Sequence, residues 1–142
     1  MTLYFWTLFA CGDAPYLMTP PGVEATPNGG LVTLDTTRAD HLGAYGRAEA
    51  RTPTLDGLAS RGLRFDRAYA PVPLTIPSHA SLMTGLDPHH HGVRDNGSGA
   101  LAPEHVTLAE HLGAAGWTSA ASVSAFVTQA RWGLCQGFEV CL

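Results

Sequence analysis

The chain has 142 residues, 45% of them hydrophobic and 14% charged: enough apolar material for one domain with a core, and not the composition of a disordered chain. The net charge is −4 and there is no Lys/Arg-rich run, so nucleic acid is excluded as an expected partner and an anionic ligand would have to be held by local donors or a metal. The three cysteines, Cys11, Cys135 and Cys141, form no C-x-x-C pair; their odd number excludes full intrachain pairing, and unpaired thiols are the expectation.

In chain order, residues 1–10 are apolar and end in Ala10-Cys11-Gly12, a run too short to span a bilayer. Leu8-Phe9-Ala10-Cys11 resembles a bacterial lipoprotein cleavage box without the usual basic segment before it, so the run reads either as an export segment anchored through a lipidated Cys11 or as a disordered tail. Residues 13–30, rich in Pro, Gly and Thr, read as a linker. Residues 30–35 form a short apolar run that predicts a buried strand of a parallel sheet with Asp35 at its carboxyl end. A polar loop or helical turn follows over 36–46, then a helix over 52–62 with Thr52 as N-cap, Pro53 at its first position and Gly62 as stop. Residues 63–69 alternate apolar and polar and predict a strand. A helix is predicted over 76–84, with Pro77 in its first turn and Gly85 closing it; a loop from Asp87 through His89, His90 and His91 to Gly99 comes next. Thr107 and Glu110 make a capping box for a helix ending at Gly116, and residues 117–124 read as another strand. Strands alternating with helices imply an α/β parallel sheet, whose ligands bind at strand carboxyl ends.

Several residues have the chemistry for a site. Asp35 can ligate a hard cation from the end of a strand, or simply cap a turn. Thr75 lies at a helix N-terminus, where a hydroxyl is either an ordinary cap or a nucleophile whose alkoxide meets the positive end of the helix dipole. His79 follows one helical turn later and would reach the same anion, while Arg94 and Asn96 would donate hydrogen bonds to substrate oxygens. Three consecutive histidines, His89 to His91, cannot all face one metal from a regular element and read as a solvated loop.

Taken together these segments match a family. Val32-Thr-Leu-Asp35 with the loop to Gly46, and the helix and apolar run over 52–69, resemble the opening of sulfatases of the alkaline phosphatase superfamily. Thr75-Ile-Pro-Ser-His79-Ala-Ser-Leu-Met-Thr-Gly85 resembles the sulfatase signature C-x-P-S-R-x-x-L-x-T-G, and His91-Gly-Val-Arg-Asp-Asn96 resembles the segment that follows it. The resemblance implies the N-terminal part of a parallel-sheet sandwich of the alkaline phosphatase/sulfatase type over 30–142, and the composition of 1–29 adds the expectation of a signal or lipoprotein segment and linker before it. It implies a hydrolase acting on a small anionic ester with a divalent metal, Ca, Mn or Zn, held by Asp35 and Thr75; export to a periplasm or envelope is the expectation from the apolar start alone.

The departures bear on the reaction. Formylglycine arises from the signature cysteine, and Thr75 cannot give it; His79 replaces the signature arginine; Thr36 stands where a second metal-binding aspartate is usual. Asp followed by a non-acid, together with Asn96, resembles the phosphonate monoester hydrolase branch, and relatives with Ser or Thr as nucleophile act on phosphate esters. Thr75 is therefore expected as nucleophile, with His79 assisting and Asn96 and Arg94 binding substrate. The family's second set of metal ligands lies far downstream of the matched segments, so the chain is expected to be incomplete, with little or no turnover as it stands. The competing expectations are a non-catalytic sulfatase-fold relative that binds an anion or a partner protein, and a metal-binding module using His89 to His91.

Overall fold

The structure, a computed structural model, describes residues 7–9 and 29–142. The chain divides into two compact units, one ending at Tyr69 and one comprising Ala70–Leu142. The readings placed on Cys11 and on most of residues 1–28 lie outside the described residues.

In the first unit, strand β1 (Thr7–Phe9) pairs with strand β2 (Leu31–Thr33) antiparallel, with Leu8 opposite Val32. This corrects the expected parallel pairing. The apolar run gave the strand but not its neighbour, and Val32 is 56% exposed, so the strand is not buried on both faces as a central parallel strand would be. Two 3-10 turns follow, Ala39–His41 and Gly43–Tyr45, and then helix α1 (Pro53–Arg61). Thr52 precedes α1 as expected but makes no cap bond. Its Oγ1 instead accepts the Gly43 N–H at 3.0 Å and donates to Asp56, whose Oδ1 accepts the Ala44 N–H at 2.6 Å. A carboxylate in the first turn of α1 thus ties down the loop that follows Asp35.

Residues 63–69 are not a strand. Leu63, Phe65 and Tyr69 are 76%, 58% and 68% exposed. The segment is held by side chains rather than by a ladder: Tyr45 Oη donates to the Phe65 carbonyl, Arg64 donates to the Ala44 carbonyl, and Arg64 pairs with Asp66. Alternating polarity permits a strand, but a strand also needs a partner edge for its N–H and C=O groups.

The second unit is built on helix α2 (Thr75–Thr84), closed by Gly85 at φ 71°. A helical turn α3 (Pro88–His91) follows, ending at Gly92, and then helix α4 (Leu108–Ala114). Ile76 and Ala80 of α2 pack with Val93, Leu101 and Leu134 to form the core, flanked by Trp132. Strand β3 (Ala120–Ala121) pairs in parallel with strand β4 (Val140–Cys141), which is where the expected parallel pairing occurs. Cys135 and Cys141 form a disulfide, correcting the expectation of unpaired thiols; an odd count leaves room for one bridge. Among the described residues no helix is long and apolar enough to cross a membrane.

The capping box of α4 is present as predicted: Thr107 Oγ1 accepts the Glu110 N–H and Glu110 accepts the Thr107 N–H at 2.8 Å. Glu110 also accepts from the Gln136 amide, which reaches the His105 carbonyl as well. The Thr107 N–H, followed by the Gln136 amide, holds the Glu110 carboxyl below its ordinary range. A carboxyl with a depressed folded-state pKa binds its proton more readily when unfolded, so its stabilisation is present above about pH 4.3 and lost as the pH falls below it. Acid titration followed by circular dichroism should show wild-type helix loss in that window that is flattened in Glu110→Gln. Superimposable curves would mean that the box adds no pH-dependent stability.

Candidate functional site

The first turn of α2 gathers three of the residues singled out from sequence. Thr75 is the first helical residue, with Leu74 as N-cap offering no side-chain bond. The cap comes from a distance: Asn96 Oδ1 accepts the Ile76 N–H at 2.8 Å. Because the N–H can meet only an oxygen, this bond fixes the orientation of the Asn96 amide. The loop that carries Asn96 is held by Asp95, whose Oδ1 accepts the Gly97 and Ser98 N–H groups and whose Oδ2 accepts from the Ser98 hydroxyl. These bonds, the Ser98 hydroxyl first, keep the Asp95 carboxyl below its usual range.

The anion-binding capacity expected of this helix N-terminus is reduced. Pro77 has no N–H and the Ile76 N–H is already given to Asn96, so two of the first-turn donors are not available to a ligand. His79 is 8% exposed, and its Nδ1 lies 2.8 Å from the Thr75 carbonyl oxygen, donating to it in the tautomer that makes this bond. The ring thus serves the helix turn that carries Thr75, and in its neutral form Nε2 is an acceptor. It does not reproduce the planar cationic fork of an arginine. Ser78 Oγ, on the same turn, is buried and makes no hydrogen bond among the described residues. Arg94 is exposed.

Asp35 belongs to the other unit. It lies two residues past β2, exposed, in a turn where its Oδ1 accepts the Thr36 N–H at 3.0 Å. Thr36 has φ 57°, a left-handed conformation that a β-branched residue adopts at a cost of about 1–2 kcal/mol. Thr36 Oγ1 bonds the Asp35 carbonyl at 2.7 Å, which helps to hold this turn.

The histidine triplet is split by the fold. His91 is 2% exposed, accepts the Val93 N–H at Nδ1 and donates from Nε2 to Ser81 Oγ at 3.0 Å. Burial, and secondarily His105, lowers its pKa, so the neutral ring is favoured. His91→Ala would strand both partners in the interior, and a loss of about 2–4 kcal/mol is expected. Urea unfolding followed by tryptophan fluorescence would show it as a lower midpoint; an unchanged midpoint would mean that the pair contributes nothing. Sequence reasoning missed this role, and the Asn96 cap, because each joins residues ten to twenty positions apart.

A family model described as Sulfatase matches residues 27–128. The chain belongs to the sulfatase family. It is 42% identical to arylsulfatase A of Bos taurus over 79% of this chain and 22% of that protein, and 37% identical to a Delta 4,5-hexuronate-2-O-sulfatase of Bacteroides thetaiotaomicron over 63% of this chain and 18% of that one. Among solved structures it resembles a 2-O GAG sulfatase with a TM-score of 0.62 and 32% identity, covering 72% of this chain and 22% of that one. This sulfatase chain therefore spans about a fifth of the length of those relatives and has the N-terminal part of the alkaline phosphatase/sulfatase fold.

Proposed function

We propose that this sulfatase chain supplies the N-terminal half-site of a metal-dependent hydrolase of sulfate, phosphate or phosphonate esters, with Thr75 as nucleophile. The observation that carries the reading is the first turn of α2, where Thr75 begins the helix, His79 bonds its carbonyl and Asn96 caps the next N–H. Thr75 Oγ would bond to phosphorus or sulfur as the bond to the departing alcohol oxygen breaks. The hydroxyl proton passes to solvent and the leaving oxygen takes one up; water then cleaves the Thr75 ester. Asn96, already fixed through its oxygen, is the residue whose amide nitrogen would meet a substrate oxygen, with Arg94 as the nearby cation.

A divalent cation, when bound, neutralises charge on the ester and lowers the pKa of a ligated hydroxyl. The chemistry fits in kind: Asp35 offers an exposed carboxylate and Thr75 a hydroxyl, each a hard oxygen of the type that Ca, Mn or Zn takes. It falls short in number, since a hard divalent ion takes about six oxygens, so the remaining ligands would come from outside the described residues. Export is part of the same proposal, supported by the Cys135–Cys141 disulfide, a bond that persists in oxidising compartments.

One observation favours a second reading, a non-catalytic relative that binds an anion or a partner: the residue in place of the signature arginine, His79, is buried and committed to the helix. Turnover separates the two. Aryl sulfate and aryl phosphate are assayed with added divalent metal, on this chain and on the longest polypeptide its gene encodes. Metal-dependent hydrolysis by the longer polypeptide, with phosphate favoured over sulfate, is expected. No turnover of either ester by it would overturn the catalytic reading.

A further inference from the structure

The loop after α2 carries a second group of ligands, unlike the oxygens of Asp35 and Thr75. Asp87, His89 and His90 are all exposed, and one ligand atom from each lies within 4.8 Å of the others. The two imidazole rings are 3.9 Å apart, centre to centre. We propose that these three side chains bind a borderline divalent transition ion of the Zn²⁺ type.

Three features support this site. First, an aspartate at a helix N-cap ordinarily spends its carboxylate on the first-turn N–H groups, yet Asp87 occupies that position in α3 and makes no cap bond. Second, the ring nitrogens of His89 and His90 make no hydrogen bond among the described residues, so binding would not have to break one. Third, the turn is anchored from behind. His91 is fixed inside to Ser81 and Val93, the His90 and His91 N–H groups bond the Asp87 carbonyl, and the Gly92 N–H bonds that of Pro88. His91 is buried while His89 and His90 are exposed, so the triplet gives two ligands and one anchor.

Ligands about 2.0–2.2 Å from a shared ion stand at most roughly 4.4 Å apart, and the ligand atoms of this group, within 4.8 Å of one another, are near that spacing. Two imidazoles and one carboxylate suit Zn²⁺ and its borderline neighbours over Ca²⁺ or Mg²⁺, and three protein ligands leave a position for water.

The test is a titration of the chelator-treated full chain with Zn²⁺, and with Co²⁺ read by its visible absorption. One equivalent is expected to bind in the presence of excess Ca²⁺, which competes for the oxygen donors of the proposed hydrolase site and not for imidazoles. His89→Gln and His90→Gln should each weaken it at least about tenfold. Asp35→Ala and Cys11→Ser should leave it unchanged, which separates this site from the proposed hydrolase site and from a cysteine ligand. Binding that survives both histidine variants, or that is lost with Asp35→Ala or Cys11→Ser, would overturn the assignment, as would no binding at all. Circular dichroism of the variants, whose substituted side chains are exposed, is expected to match wild type, so that lost affinity reports lost ligands.

Discussion

Thr75→Ala is expected to abolish ester hydrolysis by the longest polypeptide that carries this chain while leaving α2 folded. Removing a nucleophile's functional group costs at least about 10³-fold in turnover, because the covalent route has no substitute. The helix should tolerate the change: alanine is a strong helix former, and the cap on the Ile76 N–H is supplied by Asn96 rather than by the Thr75 hydroxyl. A stability change of about 1 kcal/mol or less is therefore expected in urea. Thr75→Ser keeps the hydroxyl and should keep a substantial part of the activity. If Thr75→Ala retained turnover within tenfold of wild type, another group would have to be the nucleophile. The measurement is also specific to mechanism, because a merely structural Thr75 would move stability and turnover together.

Gly133→Ala should destabilise the Ala70–Leu142 unit by about 2–5 kcal/mol. Two costs add. Gly133 has φ 78°, which penalises any side chain by about 1–2 kcal/mol. A Cβ there would also overlap the Leu101 carbonyl oxygen and lie 3.0 Å from Leu101 Cβ. Leu101 is a buried core residue whose N–H bonds the Trp132 carbonyl at 2.9 Å, so relief requires moving the backbone, at about 1–3 kcal/mol. Gly85 provides the control. Its φ is 71°, but a Cβ there meets nothing within 4 Å, so Gly85→Ala should show the conformational cost alone. Equal unfolding midpoints for the two variants would show that the approach to Leu101 is not tight.

What could be read along the chain was local or familial. Pro53 acts through its fixed φ at the first position of α1, and the Thr107/Glu110 box of α4 and Gly85 after α2 act through bonds spanning three or four residues; each appears where the sequence places it. The motif around Thr75 likewise identified the family by order and spacing.

Apart from the helical turn Pro88–His91, which was expected as loop, the errors concerned partners. Residues 63–69 alternate correctly but have no edge to join, and β2 pairs antiparallel with β1 rather than lying within a parallel sheet. Cys135 was legible as a thiol but not as the partner of Cys141. The sequence by itself thus determined helix limits, family and the chemical kinds of residue at the site. Tertiary structure alone decided that Asn96 caps α2 and that His91 goes in, bonded to Ser81, while His89 and His90 stay out. The physical reason is distance along the chain. A cap or stop is a contest among neighbouring backbone groups, whereas a pairing across ten or more residues forms only where the folded core brings both partners within hydrogen-bond reach.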